Sequence, residues 1–74
     1  MDSVLLQLGA NIRELRERRG LTQDELARLG KLTRTSVARL ERGEQNPTLL
    51  TLAQISRVLE VRISTLVQDC GANS

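Results

Sequence analysis

LTRTSVARLERG, residues 32–43, is the stretch whose reading decides the fold. Thr33 offers an N-cap hydroxyl, and Leu32 before it and Val37 after it stand at the spacing of a hydrophobic staple, so a helix is expected to begin at Arg34. Val37 and Leu40 turn one apolar stripe toward a core. Arg34, Thr35, Ala38, Arg39 and Arg42 fall on the open side at i, i+1, i+4, i+5 and i+8. That side is basic, short-armed and free of acids; Glu41, the one acid of the helix, lies next to the buried stripe. A helix that buries two aliphatics and shows solvent three arginines, a threonine and an alanine has the shape of an element that enters a major groove.

Upstream, LTQDELARL (residues 21–29) carries a second, strongly specified helix start. Thr22 and Glu25 form a capping box, with Leu21 and Leu26 as its staple. Leu26 and Ala27 should face inward, with Leu29 as a third candidate, and Asp24 suits the helix dipole. Gln23, in the first turn, stands where an amide and a helix N-terminus can hold a phosphate together; an ordinary exposed polar residue is the alternative. The connection Gly30-Lys31-Leu32 is short, so the two helices must be neighbours at a sharp angle: a helix-turn-helix.

An earlier helix is expected from Ser3 to Arg19, capped by Asp2 or Ser3, with Leu5, Leu8, Ile12 and Leu15 on its buried face. Arg13, Glu14, Glu17 and Arg18 make its solvated face, and Glu14 pairs with Arg18 at i,i+4. Gly9 interrupts good helical sequence at a cost near 1 kcal/mol, which predicts another backbone close by, and Gly20 ends the helix. After Gly43, Glu44 to Pro47 make a polar loop in which Gln45 and Asn46 could donate to a phosphate, with a plain solvated loop as an equal alternative for each. Thr48 caps a fourth helix running to about Leu59, with Leu49, Leu52, Ser56 and Leu59 on its core face and Ile55 beside it. Leu50 and Ala53 lie off that face and hint at a partner surface. Val61 to Gln68 reads as a short amphipathic helix, and Asp69 to Ser74 as a polar, frayed tail.

These elements make one all-α domain over residues 1–74 with its core in about residues 3–68: a compact five-helix arrangement. A chain of 74 residues buries only about 60% of its unfolded surface, so the core must be simple. It holds no Trp, Tyr or Phe and must be built from Leu, Ile, Val and Ala. The net charge of +2 is modest but unevenly spread: Arg28, Lys31, Arg34, Arg39 and Arg42 face Glu41 alone, whereas Glu44, Glu60 and Asp69 outweigh Arg57 and Arg62. A local basic stripe is the footprint of a nucleic-acid binder, and equally readable on charge alone as a solvated helix face. No secretory pattern or membrane-length apolar run is present, and a cytoplasmic protein is expected. With no histidine and Cys70 as the one cysteine, disulfide scaffolds, zinc fingers and His-based catalysis drop out, and no cofactor, metal or small-molecule substrate is expected. A redox switch or intermolecular disulfide at Cys70 is the minority reading against a bland thiol.

ANIRELRERRGLTQDELARL (residues 10–29) followed by LTRTSVARLERGEQNPTLLTLAQISRVLEV (residues 32–61) strongly resembles the phage-repressor, Cro- and Xre-like helix-turn-helix family over about Leu8 to Val67. Standalone members of this size are similar to restriction-modification controller proteins. The resemblance implies a lambda-repressor-like domain in which Arg34, Thr35 and Arg39 read base edges, with Ala38 small enough to pass a thymine methyl. It implies phosphate contacts at Gln23, Thr33, Ser36 and Arg42, with Gln45 and Asn46 as weaker ones, and an ion pair of Arg16 with Glu41 tying the first helix to the recognition helix. The family's turn glycine aligns with Lys31, so either Lys31 is left-handed or the turn differs; the glycine ending helix 4 aligns with Glu60 and the serine cap of helix 5 with Arg62. Leu50 aligns with a site often charged in monomer-like members.

The leading expectation is a transcription regulator that binds double-stranded DNA as a homodimer on an inverted repeat, with Leu50, Ala53 and Val67 in the dimer surface and Arg57 at its rim. Activation would require a surface that touches RNA polymerase, for which Asp24, Glu25 or Glu44 could serve. A rival is an antitoxin or protein-interaction adaptor on the same fold. An enzyme is the weakest reading, because nothing in the sequence can be named as nucleophile or base.

Overall fold

A computed structural model describes residues 3–71 and contains, among them, five helices and no strand. They are α1 (Ser3–Arg18), α2 (Gln23–Gly30), α3 (Arg34–Glu41), α4 (Leu49–Leu59) and α5 (Ile63–Leu66). Each helix of more than four residues after α1 begins on the threonine expected of it. The Thr22, Thr33 and Thr48 hydroxyls accept from the backbone N–H three residues on, at Glu25, Ser36 and Thr51. At α2 the Glu25 carboxylate returns a bond from the Thr22 N–H at 2.9 Å, and that bond holds the Glu25 pKa below its ordinary value. Of the two caps expected for α1, Asp2 lies outside the described residues and Ser3 is already helical.

The core is wholly aliphatic and drawn from all five helices: Leu8 and Ile12, Leu26 and Ala27, Val37 and Leu40, Ile55 and Leu59, and Leu66. Fully burying each large member contributes about 1.5–3 kcal/mol. Gly9 lets α1 and α3 meet at backbone distance. A Cβ there would stand 2.6 Å from the Glu41 carbonyl oxygen and closer still to that of Leu40. That proximity places Arg16, two turns further along α1, against the C-terminal end of α3.

Four helices end in the same way. In each, the last turn is closed by a bond from one residue beyond a left-handed position: Leu21 to Arg16, Leu32 to Ala27, Glu44 to Arg39 and Val61 to Ser56. Glycine fills that position at Gly20 and Gly43, but Lys31 (φ 58) and Glu60 (φ 57) fill it without one. Of the two possibilities open at the turn, the left-handed lysine is the one adopted, and Gly30 is an ordinary helical residue. A left-handed non-glycine residue costs roughly 1–2 kcal/mol, partly offset by the greater unfolded-state freedom of glycine. Lys31→Gly is therefore expected to stabilise the fold by about 1 kcal/mol in urea titrations followed by circular dichroism.

Four expectations need correction. Leu29 is 52% exposed and Leu49 is 70% exposed, so neither belongs to the core. Leu49 keeps the right period with Leu52 but sits on the first residue of α4, where no neighbouring layer covers it. The last helix is a single turn and does not run from Val61 to Gln68, because Arg62 provides no side-chain cap and the chain turns again from Val67 onward. The expected tail is tied down at its start: the Asn11 amide donates to the carbonyls of Leu66 and Gln68, both at 2.8 Å, the Cys70 N–H donates to the Val67 carbonyl at 3.0 Å, and Cys70 packs on the core. Residues 72–74 of that expected tail lie outside the described residues.

Candidate nucleic-acid interface

Capping at Thr33 and burial of Val37 and Leu40 fix the rotation of α3, so its opposite side must face out. Arg34, Thr35, Arg39 and Arg42 are exposed there, and Ala38 is half-buried between them. The left-handed Lys31 turns α2 so that its first residue flanks the same side: Gln23, Arg34, Thr35, Ala38 and Arg42 line one shallow groove of about 430 Å³. Arg34 and Arg39 enter no ion pair among the described residues. Both guanidiniums can therefore direct a planar fork of donors at a base edge or phosphate without breaking a contact.

Beneath this surface lies a buried ion pair. Arg16 Nε and Nη2 donate to the two carboxylate oxygens of Glu41 at 2.6 and 3.0 Å, and Arg16 Nη1 donates to the Leu21 carbonyl at 2.7 Å. The two side chains are only 10% and 4% exposed. Hydrogen bonding to Glu41 raises the Arg16 pKa, with burial opposing it, so the guanidinium stays charged throughout the accessible pH range. Gln23 Nε2 joins the pair, donating to Glu41 Oε1 at 3.0 Å. One carboxylate thus ties together α1, the start of α2 and the end of α3. It also holds the Gln23 amide at the groove edge with one N–H left to give.

The remaining sequence-predicted residues fall along the rim. Thr33 is exposed; its oxygen caps Ser36 N at 3.1 Å, leaving the hydroxyl proton available. Ser36 and Gln45 act as one unit, with Gln45 Nε2 donating to Ser36 Oγ at 3.0 Å. Asn46 is exposed beyond them. Arg42 is engaged by Glu44, whose carboxylate accepts from its Nη2 at 3.1 Å. The sequence reading missed both that partner and the Gln23–Glu41 bond; the two-residue step from Arg42 to Glu44 was the one visible signal for the former.

On the far side, Leu50 is 70% exposed and aligned at i, i+3, i+7 with half-buried Ala53 and exposed Arg57, while Val67 is partly exposed after α5. Leu49 adds a further bare side chain to that end of α4. Burial and, secondarily, the Asp69 charge push the Cys70 thiol up, which keeps it protonated and a poor nucleophile. Among the described residues no cluster of three or more His, Cys, Asp or Glu could hold a metal ion, and no helix is long and apolar enough to cross a membrane.

Two capped helices joined through a left-handed turn, the second with an exposed basic face, define a helix-turn-helix domain. Residues 12–66 match the helix-turn-helix family HTH_3, and the chain belongs to that family of transcriptional regulators. It is 35% identical over 64 residues to the control protein C.SmaI of Serratia marcescens, covering 86% of this chain and 76% of that one. It is 36% identical over 64 residues to the immunity repressor protein of Bacillus phage phi105, spanning 86% of this chain but only 44% of the repressor. The crystal structure of the restriction-modification controller protein C.AhdI from Aeromonas hydrophila superposes with a TM-score of 0.82 at 35% identity, over 84% of this chain and 94% of that one. The resemblance read from the sequence and the five-helix all-α fold are thereby borne out.

Proposed function

We propose that the chain is a sequence-specific DNA-binding regulator that acts as a homodimer on an inverted-repeat operator. The observation that carries this reading is the groove in which Gln23 of α2 meets Arg34, Thr35, Ala38 and Arg42 of the α3 face. The recognition segment Arg34–Arg42 enters the major groove, with Arg34, Thr35, Ala38 and Arg39 at base edges. The two free guanidiniums favour guanine O6 and N7. Gln23, Thr33, Ser36, Arg42, Gln45 and Asn46 contact phosphates, and the Ser36–Gln45 unit gives a hydroxyl and an amide to the same stretch of backbone. Selection from a random duplex library at near-physiological salt tests the reading. An enriched inverted repeat with guanines in each half supports it; binding that is weak, steeply salt-dependent and without a motif removes it.

In the dimer, Leu50, Ala53, Arg57 and Val67 supply the self-complementary surface, which sets the recognition helices about 34 Å apart. Support comes from the bare Leu50 side chain at the head of a stripe with Ala53 and Arg57. Leu50→Glu puts like charges face to face across the two-fold axis and is expected to halve the mass measured by light scattering. Because Leu50 is exposed, stability of the monomer fold should change by no more than about 0.5 kcal/mol. A dimer of unchanged mass takes Leu50 out of the interface.

A further inference from the structure

Among the described residues, the Arg42–Glu44 pair is the one ion pair on the proposed DNA-facing edge whose cation is itself assigned to a phosphate. Nη2 of Arg42 stands 3.1 Å from Glu44 Oε1, and the side chains are 57% and 43% exposed, so the bond holds no part of the core. Glu44 is nevertheless well anchored. Its backbone N–H donates to the Arg39 carbonyl at 2.9 Å in the turn that closes α3, which fixes the carboxylate beside the last turn of the recognition helix. The hydrogen bond from Arg42 holds the Glu44 carboxyl below the ordinary range against the opposing effect of burial, and the Arg42 and Arg39 charges add to the lowering. A carboxylate on a guanidinium uses the same planar fork of donors that a phosphate would use.

We propose that Glu44 is an internal competitor for phosphate at Arg42: its carboxylate occupies the guanidinium in the free protein, and DNA binding must displace it. Glu44 thereby lowers affinity for every sequence alike and leaves the choice among sequences to Arg34 and Arg39. The inference rests on the DNA-binding reading above.

The test measures dissociation constants of the wild type, Glu44→Gln, Arg42→Ala and the double variant on the selected duplex and on a scrambled one. Glu44→Gln is expected to bind both duplexes about 3- to 10-fold tighter, the combined effect of releasing one exposed pair in each subunit. In the Arg42→Ala background the same substitution should change binding less than about 2-fold, because the displaced pair is gone. Unchanged or weaker binding by Glu44→Gln overturns the proposal. So does a gain that persists without Arg42, which would mean general charge repulsion, or a loss confined to the selected duplex, which would make Glu44 a reader of bases. Wild type that binds neither duplex removes the DNA reading itself. Wild type that binds normally beside a Glu44→Gln variant that binds no tighter removes only the competitor.

Discussion

Glu41→Ala should cost about 3–5 kcal/mol of folding stability, the usual penalty for removing one partner of a buried ion pair. For 74 residues the whole stability is roughly 4–11 kcal/mol, so the loss is a large fraction of what holds the fold. The size of the effect follows from what Arg16 keeps. Its guanidinium remains buried, still charged, with the Leu21 carbonyl as the one acceptor of the three it now has. Gln23 loses its partner at the same time. Exposed pairs give the scale: Glu14→Ala removes a 2.6 Å contact to Arg18 between side chains that are more than three-fifths exposed, and should cost no more than about 1 kcal/mol. With no aromatic residue to report fluorescence, the measurement is urea unfolding followed by far-ultraviolet circular dichroism. A loss for Glu41→Ala no larger than that for Glu14→Ala would show the pair to be solvated. The double variant Arg16→Met, Glu41→Leu separates the two contributions. It removes both charges at similar volume and should recover most of the stability, because the penalty lies in the orphaned charge.

The parts of this fold that were legible in the sequence are those whose bonding partners lie within a few residues. Thr22, Thr33 and Thr48 each bond a backbone N–H three positions on, and a residue type with a three-residue reach is visible in a string. Gly9 was legible for a related reason: a glycine in good helical sequence has a local cost that something must offset, and the α3 backbone does so. Lys31 and Glu60 were ambiguous because the left-handed positions carry residues that do not advertise them. Leu29 and Leu49 were misplaced because period tells which way a side chain points and nothing about where the neighbouring layer ends. Asn11 was invisible: its acceptors at Leu66 and Gln68 are 55 and 57 residues away, and a lone polar residue on a helix carries no mark of so distant a partner. The basic face of α3 was read residue by residue, yet Glu44 was weighed only as a possible contact to polymerase. Its pairing with Arg42 depends on the turn at Gly43 (φ 73) that brings the chain back beside the helix.

Arg39→Ala and Arg42→Ala should separate reading from holding on that face. Both side chains are exposed, so neither substitution should move stability by more than about 0.5 kcal/mol, and differences in binding report the interface itself. Arg39 has no ion pair to break among the described residues and stands at a proposed base edge. A bidentate contact to guanine discriminates by about 1–3 kcal/mol, and a symmetric dimer makes it twice, so Arg39→Ala should weaken operator binding by about 2–6 kcal/mol. Scrambled duplex never receives that contact and should lose only the small share due to one charge per subunit. Arg42→Ala should act differently. A phosphate contact is sequence-blind, so operator and scrambled duplex weaken together, and the slope of log K against log salt falls by about 0.9 for each phosphate released. Its loss should also be the smaller one, because in the free protein Arg42 must first leave Glu44. Titration of both variants on both duplexes at two salt concentrations decides the matter. A specific-to-nonspecific ratio that falls equally for both variants would remove the division of labour between the two arginines. A ratio that falls for Arg42→Ala alone would exchange their roles and move the base-reading edge of α3 to its C-terminal end.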